Sequence, residues 1–156
     1  MFNSIQLREL IIRPVLHDLI AYSEDAVELL IFTCAVESDG GTYIKQIKGP
    51  ALGIYQMEPD TYNDLWMNYI KNKPDLIMKL FSNFGINLIP PEDRMIYDLR
   101  FATAMARIFY MRTAEEIPRS KNREAVWDYY KKYWNTKDGN SKKDASIRKY
   151  LSFMTN

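Results

Sequence analysis

The sequence predicts an all-α protein, or α+β at most with a small hairpin or flap, in which short helices surround one buried central helix. Residues 26–36 are apolar on nearly every side, as in a helix that lies inside a core. Most of the remaining chain repeats apolar residues at the i, i+3, i+4 spacing of amphipathic helices. Only residues 42–48 alternate in the loose manner of a strand or hairpin. Because the 156 residues contain no repeat or low-complexity linker, we expect one domain spanning 1–156.

Capping residues and one proline set the N-terminal elements. An amphipathic segment spans about 4–21, and Pro14 within it should kink the helix or begin a second one. Ser23 is the expected N-cap of the buried helix, and the glycines at 40–41 are its expected stop. Glu37 therefore stands near the end of a helix that is otherwise buried.

Prolines and glycines also divide the rest of the chain. A helix is predicted after Pro59, and a second one is predicted between Pro74 and Gly85. A longer helix is expected to begin at Pro90-Pro91. Two further helices are predicted, one over residues 124–135, with an aromatic stripe, and one over 141–153.

Composition limits the classes of function. The net charge of +1 gives no electrostatic reason to expect a nucleic-acid partner. With Cys34 and His17 as the only cysteine and histidine, an internal disulfide is excluded and a usual zinc cluster is not expected, so we predict no metal and no cofactor. The two residues have the types of a Cys-His thiol hydrolase, although a buried thiol is the ordinary role of cysteine in an apolar helix. No segment marks an oligomer interface, so a monomer is expected.

Glu37 is a carboxylate at a position where burial of its charge costs free energy. At the end of an apolar helix, desolvation disfavours its charged form, so its pKa should rise and the side chain can hold a proton near neutral pH. A general acid needs this property. The ordinary alternative is a helix-end glutamate that turns toward solvent.

The Glu37-Ser38 pair is followed by Gly-Ile-Tyr-Gln-Met-Glu-Pro-Asp-Thr at 53–61. Together the two segments resemble the core of the soluble lytic transglycosylase and goose-type lysozyme superfamily, and the resemblance covers about 26–69. It implies a lysozyme-like fold and cleavage of the MurNAc-GlcNAc β-1,4 bond in peptidoglycan glycan strands. It also implies that Glu37 is the general acid.

The resemblance implies several further site residues. Ser38 follows the acid in the family pattern and would hold its orientation, while the alternative is a helix-end serine bonded to backbone. Gly53, Tyr55 and Gln56 fall in the Gly-Leu-Met-Gln motif of the family, where the glutamine faces the cleft and the glycine lets backbone approach the sugar. The Trp134-Asn135 pair stands where the family has a Tyr-Asn motif late in the chain. Trp134, Tyr133 or Tyr130 would supply a ring or hydroxyl near the acid, and Tyr110 is a further candidate. An aromatic stripe of this kind is also typical of an ordinary hydrophobic core.

The resemblance leaves three mechanisms or functions open. In a lytic transglycosylase the substrate N-acetyl group assists, Glu37 serves as acid and then base, and the muramyl 6-hydroxyl closes a 1,6-anhydro ring. The family serine that positions the N-acetyl group has no counterpart in residues 46–52, which makes the anhydro product less secure. Glu58 stands where goose-type lysozymes have an acid that activates water, so a hydrolytic muramidase is the first alternative. A non-catalytic virion module is the second.

The N-terminal thirty residues show no targeting or membrane segment, because charged side chains interrupt them repeatedly. We therefore expect a soluble chain without membrane insertion, made in the host cytoplasm. A wall substrate lies outside that membrane, so a bacteriophage origin is expected, with release at lysis or transport in the virion. The C-terminal third contains basic residues that could attract an anionic wall polymer or simply form a solvated face: Lys131, Lys132, Lys137, Lys142, Lys143, Arg148 and Lys149.

Overall fold

The computed structural model describes residues 1–136 and 141–155. Helices account for 62% of the structure and strands for 2%, without a sheet in the described chain, which confirms the all-α prediction. In chain order the elements are α1 (Ser4–Gln6), a π-helical stretch (Leu7–Ile12), α2 (Arg13–Asp18), α3 (Glu24–Ser38), α4 (Pro59–Asn68), a 3-10 turn (Ile70–Asn72), α5 (Pro74–Phe84), α6 (Arg94–Tyr97), α7 (Leu99–Met111), α8 (Arg123–Tyr133) and α9 (Lys143–Met154).

The first segment restarts at Pro14, as the sequence predicts. Pro14 lies in the first turn of α2 and cannot donate a backbone hydrogen bond. The turn before it widens, so the Arg13 N–H reaches back five residues to the Arg8 carbonyl. The proline ring would clash with the carbonyl four residues earlier in a regular α-helix, and the wider turn relieves this clash.

The central helix is α3, and it is almost wholly buried. The Ser23 side chain accepts a hydrogen bond of 3.0 Å from the Ala26 N–H, which confirms the predicted N-cap. Helices α7, α8 and α9 and the π-helical stretch pack around α3. The helix ends at Asp39, which has a left-handed φ of 54°, one residue before the predicted glycine stop.

Between α3 and α4 the chain forms turns. The strand suggested for 42–48 is reduced to isolated antiparallel bridges, Lys45 with Leu52 and Leu52 with Met57. These bridges fold the loop back on itself and bring Gln56 beside the end of α3. A flap is therefore present without regular strands.

The helix expected from Pro90-Pro91 is divided into α6 and α7, so the prediction of one long helix was wrong. Asp98 breaks it with an extended backbone, and its side chain accepts a hydrogen bond of 2.9 Å from the Phe101 N–H as the N-cap of α7. The predicted boundaries at Pro59, Pro74 and Gly85 are confirmed. Within the described chain, no helix is both long and apolar enough to cross a membrane.

Candidate active site

A cleft of about 850 Å³ opens beside the end of α3. It lies between the loop before α4, the side of α7, the end of α8 and the first two turns of α9. Several predicted site residues line it together, although they are far apart in sequence: Glu37, Gln56, Glu58, Trp134 and Asn135. The fold therefore brings the two motif segments and the Trp134-Asn135 pair to one surface.

Glu37 lies on this surface and is held by a tyrosine. The Tyr130 hydroxyl donates a hydrogen bond of 2.5 Å to Glu37 Oε1. Burial raises the pKa of Glu37, while hydrogen bonds from Tyr130 and Asn135 and the charges of Lys149 and Lys131 lower it, and burial outweighs them. A carboxyl group with this balance can hold a proton at a higher pH than an exposed glutamate.

Ser38 lies behind Glu37 and is completely buried. Its hydroxyl donates a hydrogen bond of 2.6 Å to the Ile54 carbonyl and accepts one of 2.9 Å from the Gly41 N–H. The serine therefore joins the end of α3 to the turn that contains Gln56. Its side chain is absent from the cleft lining, so it holds backbone on both sides of the acid and does not face a ligand.

Gln56 occupies a strained turn at the edge of the cleft. Its φ is 51°, in the left-handed region, and its side-chain Nε2 donates to the Gly53 carbonyl at 2.8 Å and to the Tyr43 carbonyl at 3.4 Å. The side chain thus closes the turn and also lines the cleft.

Gly53 allows close packing against the backbone of α6, whereas the resemblance implied close approach of backbone to a sugar. It has a φ of +72°, and a Cβ placed on it would lie 2.4 Å from the Met95 carbonyl oxygen. The glycine lets the turn approach the backbone of α6, and it is not among the residues that line the cleft.

The Trp134-Asn135 pair ends α8 at the wall of the cleft. The Trp134 ring packs on Phe109, with ring centroids 4.6 Å apart, and on Tyr110, at 5.3 Å. Asn135 Oδ1 accepts a hydrogen bond of 2.8 Å from Lys131. These contacts fix both side chains at the cleft surface that Glu37 also lines.

Three predicted aromatic residues lie away from the cleft surface. Tyr55 is buried and its hydroxyl lies 3.2 Å from that of Thr103. Tyr110 is also buried, with its hydroxyl 2.8 Å from that of Thr33. Tyr133 donates to the Glu115 carboxylate on the outside of α8. Two of the three therefore support the core behind the site, and Tyr133 supports the outer face of α8.

Tyr130 is the one of the three candidates for a ring or hydroxyl near the acid that contacts Glu37. It belonged to an aromatic stripe in which Tyr133 and Trp134 were equally good candidates, because the spacing alone does not show which ring reaches the acid. A further signal was present in the register. Tyr130 lies on the buried face of α8 together with Val126 and Tyr129, and α8 packs against α3.

Glu58 is the other carboxylate on the cleft among the described residues. It is exposed and stands immediately before α4, at its N-cap position, with no side-chain capping bond. The described residues contain no group of three or more histidine, cysteine or acidic side chains placed to hold a metal ion.

Cys34 does not form a catalytic pair with His17. Its thiol is buried, 3.7 Å from the Ser38 hydroxyl, and burial raises its pKa to about 12. A thiol with that pKa is a poor nucleophile. His17 is exposed and stacks on Tyr22, with ring centroids 4.2 Å apart.

No family model, curated protein or solved structure matches this chain. The resemblance to lytic transglycosylases and goose-type lysozymes stands on the two motif segments and the Trp134-Asn135 pair.

Proposed function

We propose that the protein cleaves the MurNAc-GlcNAc β-1,4 bond of peptidoglycan as a lytic transglycosylase, with Glu37 as general acid and base. The observation that carries the proposal is the position of Glu37. It is a carboxyl group of raised pKa, held by Tyr130 at 2.5 Å and facing a cleft with Gln56 and Asn135.

The proposed reaction uses one carboxyl group twice. Protonated Glu37 gives its proton to the glycosidic oxygen as the bond from that oxygen to the muramyl C1 breaks. The substrate's own N-acetyl group stabilises the positive centre at C1. The Glu37 carboxylate then takes the proton of the muramyl 6-hydroxyl, whose oxygen bonds to C1 and closes the anhydro ring. Glu37 is thereby protonated again, so the enzyme is ready for another cycle.

The surroundings of Glu37 suit both steps. Burial favours the neutral acid before cleavage. The Tyr130 hydroxyl and the charges of Lys149 and Lys131 favour the carboxylate that exists between the steps. Burial is the larger influence, and the opposing contacts offset part of it, which suits a group that first gives a proton and then takes one.

A hydrolytic muramidase is the second candidate, and the placement of Glu58 favours it. Glu58 lines the same cleft as Glu37 and is open to solvent, as a base that activates water should be. In that mechanism water attacks C1 and the product has a reducing end.

Mass spectrometry of muropeptides released from purified peptidoglycan tests the proposal. Wild type, Glu37→Gln and Glu58→Gln are incubated in parallel. We expect Glu37-dependent products one water lighter than reducing-end muropeptides, with Glu58→Gln still active. Glu37-dependent reducing ends that require Glu58 would replace the proposal with the muramidase. Absence of any Glu37-dependent product would overturn both and favour a non-catalytic virion module.

A further inference from the structure

One wall of the cleft is formed by a single face of α9. Lys142, Ser146 and Lys149 stand at i, i+4 and i+7, so they lie above one another on the same side of the helix. All three line the cleft that contains Glu37. The two cations therefore face the cavity, and do not belong only to the solvated surface of the C-terminal third. Lys137, from the same basic region, lies outside the described residues.

Ser146 is the most unusual member of this face. Ser146 is only 2% exposed as a residue, yet its hydroxyl oxygen is open to the cleft and forms no hydrogen bond to any residue in 1–136 or 141–155. The buried hydroxyls of Thr33 and Thr103 donate to the carbonyl four residues earlier, at 2.8 Å and 2.7 Å, whereas that of Ser4, in α1, also lacks a partner among the described residues. A hydroxyl in this position can bond to water or to a ligand, because no described protein group is its partner. Because Ser146 lines the cleft, a bound ligand can supply that partner.

The beginning of α9 adds a second source of positive potential. Lys142 is the N-cap residue, and no side chain caps the helix there. The first N–H groups of a helix of this length carry partial positive charge and favour an anion. Asp144 lies in the same turn but is exposed and absent from the cleft lining, so it does not occupy this position.

The lysines are available to a ligand. Lys149 Nζ donates to the Val36 carbonyl at 3.2 Å, which holds the ammonium group beside the end of α3. No carboxylate of the described chain forms an ion pair with Lys142 or Lys149, whereas Lys143 on the next face pairs with Glu124 at 3.0 Å. Lys149 acts on Glu37 through its charge, but neither lysine is held in an ion pair by a described residue, so both ammonium groups can still bind an anion in the cleft.

We propose that the Lys142–Ser146–Lys149 face of α9 binds a carboxylate carried by the muramyl side chain of the glycan. This inference rests on the proposed function. Such a carboxylate has two sources, the lactyl group of a peptide-free strand or the stem peptide of a substituted one. Contact with it would seat the glycan beside Glu37 and give preference for muramyl strands over uncharged polysaccharides.

Sedimentation binding to insoluble walls in the Glu37→Gln background tests this site without cleavage. Three walls are compared: intact peptidoglycan, peptidoglycan stripped of peptides by an amidase, and intact peptidoglycan whose carboxylates have been converted to amides. Lys142→Gln with Lys149→Gln removes the cations, and Ser146→Ala removes the hydroxyl. Arg148→Gln is the matched control for Lys149→Gln alone, because each removes one exposed charge from α9 and only Lys149 lines the cleft.

We expect the double lysine variant to lose about 10- to 100-fold in affinity for intact walls, and the loss to diminish as ionic strength rises. Its ratio of affinities for carboxylated and amidated walls should fall toward one, while Arg148→Gln keeps the wild-type ratio. If lysine-dependent binding is strong on stripped walls, where the amidase has freed the lactyl carboxylate, the lactyl group is the ligand; if it is strong only on intact walls, the stem peptide is. The site would be overturned if the parent protein bound intact and amidated walls equally and showed no lysine-dependent binding to stripped walls, or if Arg148→Gln caused the same loss as Lys149→Gln.

Cleavage and binding measured together distinguish failure of the proposed function from failure of the anion site. Lysine-dependent binding without cleavage by the wild type would retain the anion site and reject the enzyme. Cleavage by the wild type without lysine-dependent binding would retain the enzyme and reject the site.

Discussion

The Ser38 hydroxyl donates a hydrogen bond of 2.6 Å to the Ile54 carbonyl, and this bond joins the helix that carries Glu37 to the turn that carries Gln56. The bond is completely buried. It gives the serine directly after Glu37 a structural role in this chain. The residue fixes the distance between two backbone segments of the cleft without touching the cleft itself.

Ser38→Ala should therefore reduce both stability and activity. Loss of the hydroxyl leaves the buried Ile54 carbonyl and Gly41 N–H without this partner, at a cost of about 1–3 kcal/mol in the free energy of unfolding. Displacement of the turn should lower kcat by about 10- to 100-fold. Urea unfolding and muropeptide release measure the two effects. Ser82→Ala, on the exposed side of α5, is the control. Equal losses of stability and activity in both variants would contradict a role for the Ser38–Ile54 hydrogen bond.

Tyr130→Phe should move the pH profile of cleavage to higher pH. The Tyr130 hydroxyl bond favours the charged form of Glu37, so its removal raises the pKa of that carboxyl further. In the proposed mechanism the first chemical step needs protonated Glu37, so kcat/KM should fall as pH rises through its pKa. In the variant this fall should occur at a higher pH, while the stabilisation of the carboxylate between steps is lost and kcat decreases.

The control for Tyr130→Phe is Tyr133→Phe on the same helix. The Tyr133 hydroxyl contacts Glu115 and is not on the cleft, so its removal should leave the profile in place. Initial rates of muropeptide release between acid and alkaline pH supply the measurement. A profile that stays in place in Tyr130→Phe, or moves to lower pH, would show that the hydroxyl does not tune Glu37.

Glu37→Gln should gain stability over wild type as pH rises. Burial lifts the pKa of folded Glu37 above its ordinary value of 4.5, so the folded state binds the proton more tightly than the unfolded state. Wild type therefore loses stability as pH rises from about that value through the raised pKa. The glutamine can still accept the Tyr130 hydrogen bond and has no charge to bury.

The two proteins should thus have similar free energies of unfolding in acid. Above the raised pKa the variant should be more stable by about 0.5–2 kcal/mol. Denaturant unfolding at several pH values measures the difference, with Glu116→Gln as a control for the loss of one exposed negative charge. A variant that is less stable at neutral pH, with the difference growing as pH rises, would mean that the Glu37 carboxylate is stabilised by its neighbours.

Local sequence signals predicted the elements of this fold better than they predicted its contacts. Ser23, Pro59, Pro74 and Gly85 each act within one helical turn, and each boundary is found where the sequence places it. Asp98 was missed because the apolar spacing continues through it from α6 into α7. There the side-chain cap of a new helix prevails over the periodicity.

The contacts within the site were harder to predict than the helix boundaries. Glu37 could be identified because a charge at the end of an apolar helix is a local contradiction. Tyr130 contacts that charge across 93 residues of sequence, and its register against α3 depends on packing that no local pattern shows. For the same reason the sequence named Lys142 and Lys149 only within a larger basic set and could not separate an anion-binding face from a solvated one. Lys142 and Lys149 are ordinary surface lysines in the sequence, and only the position of the helix turns them toward the cleft.

Gly53→Ala should destabilise the protein far more than Gly85→Ala, although both glycines have left-handed backbones. At Gly85, φ is +63° and no atom lies within 4 Å of an added Cβ, so alanine adds only the cost of the left-handed conformation, about 1–2 kcal/mol. At Gly53, φ is +72° and the added Cβ would stand 2.4 Å from the Met95 carbonyl oxygen. Backbone cannot move aside as a flexible side chain can, so the turn must separate from α6 and displace Gln56. We expect an additional loss of about 1–3 kcal/mol for Gly53→Ala together with reduced cleavage, and normal cleavage for Gly85→Ala. Thermal unfolding and muropeptide release measure both variants. Equal destabilisation in the two would mean that the turn is free to move away from Met95.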